Sequence, residues 1–266
     1  MKASFHGTDH SGSRRLGRAL ASRRTRVACW GSLAGAIGVG LAVFYASYWP
    51  RLTHLNELAY AQMAEHGGRW VTLDEVSPLF VQALIATEDQ SFWTNWGISF
   101  EGTARAVWVD LRAGRFAQGG STLTQQLVRD LLLTPKKTIP RKLAGIMLSL
   151  MAARLYTKSQ ILTDYINEVY LGAGAWGIWA ASHRYFGVSP TQLTAAEATM
   201  LAGLPEAPSA LNPLRHWQAA KARQAVVLQN LVSVHDLTPS QARAIYQAPI
   251  PLRSCPPSGS DARATD

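Results

Sequence analysis

Apolar positions along this chain follow two regimes. From Val27 to Trp49 they run without a charged residue over 23 positions. As one helix at 1.5 Å per residue, that run would span about 34 Å, against roughly 30 Å of bilayer hydrocarbon. Gly31, Gly35, Gly38 and Gly40 suit a membrane helix, and Tyr45, Tyr48 and Trp49 form an interfacial aromatic end. After Asp74 the apolar residues recur at helical spacing between start and stop signals. Ser77-Pro78 offers an N-cap and a proline at the first helical position. Thr122 with Gln125, Thr157 with Gln160, Thr194 with Glu197 and Thr238 with Gln241 each fit a capping box. Gly114, Gly172, Gly187 and Gly203 stand where helices should stop. Only Trp70 to Leu73 reads as strand, and no strand–helix alternation appears. The pattern predicts an all-α domain over 73–250, a connector over 50–72 and a disordered tail over 251–266.

Charge sharpens the picture at the amino end. The net charge is +9, and Lys2, Arg14, Arg15, Arg18, Arg23, Arg24 and Arg26 precede the apolar run against Asp9 alone. A uniformly basic domain would point to nucleic acid; a basic arm (1–26) before an apolar run points to a membrane. The arm sets the amino terminus in the cytoplasm and everything after Trp49 outside it. A cleaved signal peptide competes with this transmembrane anchor (27–49), but its apolar core is usually shorter, and no small-x-small site leads into polar sequence. Cys29 lies in the apolar run and Cys255 in the tail, so a disulfide between them is not expected, and neither has metal-ligand neighbours in the sequence.

Three stretches bear candidate chemistry. Glu88 and Asp89 close the helix begun at Ser77, where the negative helix end disfavours further negative charge and raises a carboxyl pKa. That suits a general base, while solvated acids at a helix end are the plainer alternative. Gly119-Gly120 precede a capped helix whose free N–H groups suit a phosphate, and Arg129, Lys136, Lys137, Arg141 and Lys142 follow. Arg141 and Lys142 cannot fully share one helix face, so at most one of them points at a site; a solvated basic face remains the alternative. In the third stretch Ile161, Tyr165, Ile166, Val169, Tyr170, Ile178, Ala181, Tyr185 and Phe186 read as core, and Asp164 and Glu197 as structural more readily than functional.

In this order the segments resemble glycosyltransferase family 51, the peptidoglycan glycosyltransferases. Glu88, Asp89, Phe92 and Gly97 match its first pattern, and Gly119 to Leu127 its Gly-Gly-Ser-Thr block. Arg141-Lys142, Tyr165-x-Asn167 and Ala202 to Ser209 match the next three, over about 75–250. No Ser-x-x-Lys or Lys-Thr-Gly of a transpeptidase follows, so the likeness is to the monofunctional biosynthetic members. It implies a lysozyme-like helical head with a small membrane-dipping jaw, for which Trp108, Leu111 and Phe116 are candidates. It also implies inverting polymerisation of lipid II into glycan strands with undecaprenyl diphosphate leaving. Glu88 matches the general base. Asp89, Ser121, Gln125, Gln126, Arg129, Lys137, Arg141 and Lys142 match substrate-binding positions. The implied partners are lipid II, the nascent strand, the membrane, and penicillin-binding and cell-division proteins; no metal ligand is assigned, and a divalent cation (Mg or Mn) is the one cofactor the likeness leaves room for.

The chain departs from the pattern at defined places. Gly145 stands where the family has its second catalytic Glu, and Ala153 replaces a further Glu. Ser91, Asn95 and Ser99 replace an Arg, a His and an Asp of the first motif. Either the second carboxylate mainly orients the diphosphate cations, or this member binds lipid II as an assembly scaffold without polymerising. A lytic glycan cleaver is a third class, one that would not need the basic cluster.

Overall fold

The computed structural model describes residues 38–99, 120–136 and 138–253, together with 32, 35, 36 and 102. Lys137, Trp108, Leu111, Phe116, Gly114 and both cysteines lie outside them. The chain divides into two units, Met1–Pro50 and Arg51–Asp266. In the first, residues 38–50 are helical, with Tyr45 stacked on Trp49 one turn on, ring centroids 4.8 Å apart. Among the described residues no helix is long and apolar enough to cross a membrane; part of the 27–49 run lies outside them.

Among the described residues the second unit is helical: α1 (Leu55–Glu65), α2 (Pro78–Glu88), α3 (Leu123–Leu132), α4 (Ile139–Leu155), α5 (Lys158–Glu168), α6 (Gly177–Tyr185), α7 (Ala195–Ala202), α8 (Trp217–Ser233) and α9 (Pro239–Gln247). All four expected capping boxes form, each Thr hydroxyl accepting from the backbone N–H three residues on. Ser77 sits at the N-cap of α2 without a side-chain cap bond; its backbone N–H donates instead to Pro190 O at 2.9 Å. Of the glycine stops, Gly187 and Gly203 follow α6 and α7, whereas Gly172 lies in the tight turn closed by the Tyr170–Trp176 bridge.

Trp70 to Leu73 forms no strand. The side-chain amide of Asn167 takes the place of a neighbouring strand's peptide group: it donates to Val71 O at 2.8 Å and accepts from Val71 N at 2.9 Å. One ladder unit borrowed from a side chain satisfies the backbone, so no second strand is required.

Two layers of the core position the site. The stretch expected as a connector contains α1, which buries Leu55, Ala59 and Met63 and packs on α5. On the other side α2 lies against α7 and α8, burying Phe80, Ala83, Leu84, Ile85 and Ala86. The register of α8 on α7 is pinned by Gln224, fully buried, which donates to Ala196 O at 2.8 Å and Thr199 Oγ1 at 3.0 Å. Between these layers α3 packs on both α4 and α5. Its start is set by Thr122, whose hydroxyl donates to Gly97 O at 2.7 Å. Gly97 has φ +86° and lies so close to Ser149 O of α4 that a Cβ has no room.

Candidate active site

The last residue of α2, Glu88, points into the protein with its side chain 11% exposed. Gln126 of α3 donates to Glu88 Oε2 at 2.8 Å, and Arg223 of α8 stands 3.6 Å from Oε1. Burial is the leading cause that raises the Glu88 pKa; the Gln126 bond and the Arg223 charge pull it back, Glu206 adds to it, and Arg129 lowers it. The helix end thus places the carboxyl, and the enclosure sets its affinity for a proton. Arg223 is shared: its second nitrogen reaches Glu206 Oε2 at 2.7 Å, and its Nε donates to Gly203 O at 3.3 Å.

Gln126 links this carboxyl to a cleft. While its amide donates to Glu88, its Oε1 accepts from the buried Tyr165 hydroxyl at 3.0 Å. Gln126 also lines a cleft of about 470 Å³ together with Arg129, Asp130, Arg141 and Glu168. Arg129 is held by the neighbouring Asp130 through bonds of 2.6 and 2.8 Å, the first cause that raises its pKa. Arg141 lines this cleft, and its Nε is buried without a partner.

The other expected residues take different places. Asp89 is buried, and its oxygens accept from Ser91, from Asn95 at 3.0 Å and from Leu123 N at 3.2 Å, so it ties the α2 end to the start of α3. Burial raises its pKa against those bonds. Asn95 in turn accepts from Lys158 Nζ at 2.8 Å and so serves this brace. Gln125 spends its carbonyl on the capping box, accepting from Thr122 N at 2.9 Å. Ser121 is exposed before α3, and Lys142 is exposed beside Arg141 without lining the cleft. Lys137 lies outside the described residues. Gly145 lies one turn beyond Arg141 and faces Leu133, a cleft residue. Sequence reasoning missed Arg223, Glu206 and Glu168. Arg223 reads there as an ordinary helix cation, and Glu168 as one more position of a core helix. Among the described residues no three His, Cys, Asp or Glu side chains gather as a metal site.

The family model described as Transglycosylase matches residues 55–232. Penicillin-binding protein 1A of Escherichia coli (strain K12) is 42% identical over 181 residues, 68% of this chain and 21% of that protein. Penicillin-binding protein 1A of Aquifex aeolicus (strain VF5) is 38% identical over 184 residues, 69% of this chain and 25% of that protein. The chain therefore spans a quarter or less of these relatives' length. The crystal structure of penicillin-binding protein 1A from Haemophilus influenzae overlaps with a TM-score of 0.40 at 21% identity, covering 70% of this chain and 18% of that one.

Proposed function

Since the chain belongs to the transglycosylases of glycosyltransferase family 51, we propose that it polymerises peptidoglycan glycan strands from lipid II at the outer face of the cytoplasmic membrane, anchored through 27–49. The observation that carries this reading is the pairing of Glu88 with the cationic cleft. A largely enclosed carboxyl of raised proton affinity stands one hydrogen bond, through Gln126, from a cavity edged by Arg129 and Arg141.

The chemistry follows from those parts. A general base must be ionised before the step and accept a proton during it, so a raised but partly compensated pKa suits the role. Glu88 takes the proton of the acceptor sugar's 4-hydroxyl as that oxygen attacks the anomeric carbon of the growing strand. The anomeric carbon–oxygen bond breaks on the opposite face, and its electron pair leaves with undecaprenyl diphosphate, which inverts the centre. Arg129 and Arg141 offset the charge that develops on the diphosphate, so this leaving group needs cations more than a proton donor. Exposed apolar side chains on α4 and before it, Ile139, Leu143 and Trp96 at 78%, 57% and 72% exposure, support work at a lipid surface.

A second reading, a scaffold that binds lipid II with little turnover, is favoured by one observation. At Gly145 there is no carboxylate, and no described acid lies within 4 Å of where a Cβ would stand there. Incubating the detergent-solubilised protein with lipid II separates the two. The polymerase makes glycan chains, and Glu88→Gln lowers their rate by roughly 10²–10⁴ with the fold intact. Binding of lipid II without any polymer from the wild type would establish the scaffold instead.

A further inference from the structure

Two buried polar atoms at the cleft have no hydrogen-bond partner: Oε2 of Glu168 and Nε of Arg141. The residues that carry them come from different helices, α5 and α4, and both line the cavity of about 470 Å³ together with Arg129. A buried polar atom without a partner is costly, and native proteins keep few of them. Two on one cavity wall point to a ligand that completes both.

We propose that Glu168 is a phosphate contact of this cleft, its free Oε2 and the free Nε of Arg141 both bonding to oxygens of a polyprenyl diphosphate. The identity of the anion rests on the function proposed above. Glu168 is 1% exposed and its Oε1 accepts from Gln62 Nε2 of α1 at 3.1 Å, so only Oε2 remains for the ligand. The charged and titratable groups around it are Asp130 and Arg129 of α3, Arg141 of α4, Tyr165 of its own helix, and Tyr170 just after it. Burial, reinforced by Asp130, pushes its carboxyl well above the ordinary carboxylate range, against the pull of Arg129 and Gln62. The protonated acid turns Oε2 into a donor, which an anion accepts; the ionised acid would repel the same anion. Contact with phosphate therefore requires the proton and weakens as it is lost.

The test uses the full chain in detergent, a fluorescent short-chain polyprenyl diphosphate as probe, and titrations from pH 6 to 9. Glu168→Gln keeps an N–H donor at every pH. Its affinity therefore matches the wild type at low pH and exceeds it increasingly as pH rises. Glu168→Leu removes the donor and binds about ten-fold more weakly at low pH, with unchanged or raised thermal stability. Parallel curves for wild type and Glu168→Gln across the range would overturn the proposal, as would wild-type affinity in Glu168→Leu. Lipid II polymerisation by the wild type is measured alongside. Binding as described without glycan would sink the proposed function and leave Glu168 standing, whereas glycan with parallel binding curves would do the reverse.

Discussion

Arg223 and Glu88, from helices far apart in the chain, meet at 3.6 Å, and the same guanidinium reaches Glu206 at 2.7 Å. One cation thus answers two acids, Glu88, which is 11% exposed, and Glu206, which is 57% exposed. Arg223 lowers the proton affinity of Glu88, and Glu206 raises it. The two substitutions should therefore move the acidic limb of the pH–rate profile in opposite directions. Arg223→Gln shifts it to higher pH and slows turnover at pH 7 on the order of ten-fold, as losing one electrostatic partner does. Glu206→Gln shifts it to lower pH with little loss. Limbs that move together, or not at all, would show that this ion pair only braces α8.

Gly145→Glu tests what a second carboxylate adds. A Cβ there meets only Leu133 Cδ1 at 3.5 Å, an ordinary contact, so a side chain can start there without moving α4. Replacing a helix-interior glycine stabilises by about 0.5–1 kcal/mol. The new acid stands one turn from Arg141 beside the cleft, where it orients that guanidinium. Lipid II turnover should rise several-fold together with the melting temperature. A stabler protein with an unchanged rate would show that this cleft does not use the position.

Asp164 makes stability depend on pH. It is 3% exposed, its Oδ2 lacks a partner, and burial raises its pKa from 3.8 to about 7. The unfolded chain gives up this proton near 3.8 while the folded chain holds it to about 7. Its contribution is therefore fully present below the lower value and is lost as pH rises through the upper one. At about 1.4 kcal/mol per unit the change is on the order of 2–4 kcal/mol. The melting temperature should be higher at pH 5 than at pH 8, and Asp164→Asn, neutral throughout, should flatten part of that slope. A variant whose slope equals the wild type's would assign the effect to Glu88, Asp89 and Glu168, which are raised in the same direction.

Asn167→Ala removes the amide that stands in for a strand. Val71 would lose both backbone partners, and Thr163 O the donor now at 2.8 Å. At about 1–3 kcal/mol per buried group left unpaired, the loss should reach roughly 2–5 kcal/mol in denaturant unfolding. A loss below about 1 kcal/mol would mean that water replaces the amide.

Adjacent glutamines show where reading the chain reaches its limit. The block Gly119 to Leu127 marks both Gln125 and Gln126. One of them closes a capping box, visible beforehand because its bond spans three residues. The other turns about 100° around the same helix and bridges Glu88 to Tyr165, a role that depends on α2 and α5 being in place. The same holds for Asp89, which adjoins Glu88 in the chain yet points at the start of α3.

The linear order of residues determined what local bonds and spacing decide: a helical domain, its caps, a carboxyl at a helix end and a basic segment after a capped helix. Tertiary packing decided which of those groups share a cleft. It brought Arg223 to Glu88, turned Arg141 rather than Lys142 inward, stranded one oxygen of Glu168 and buried the carboxyls. Desolvation and charge pairing arise only between segments that folding brings together, so the proton affinities belong to the fold and not to the motif.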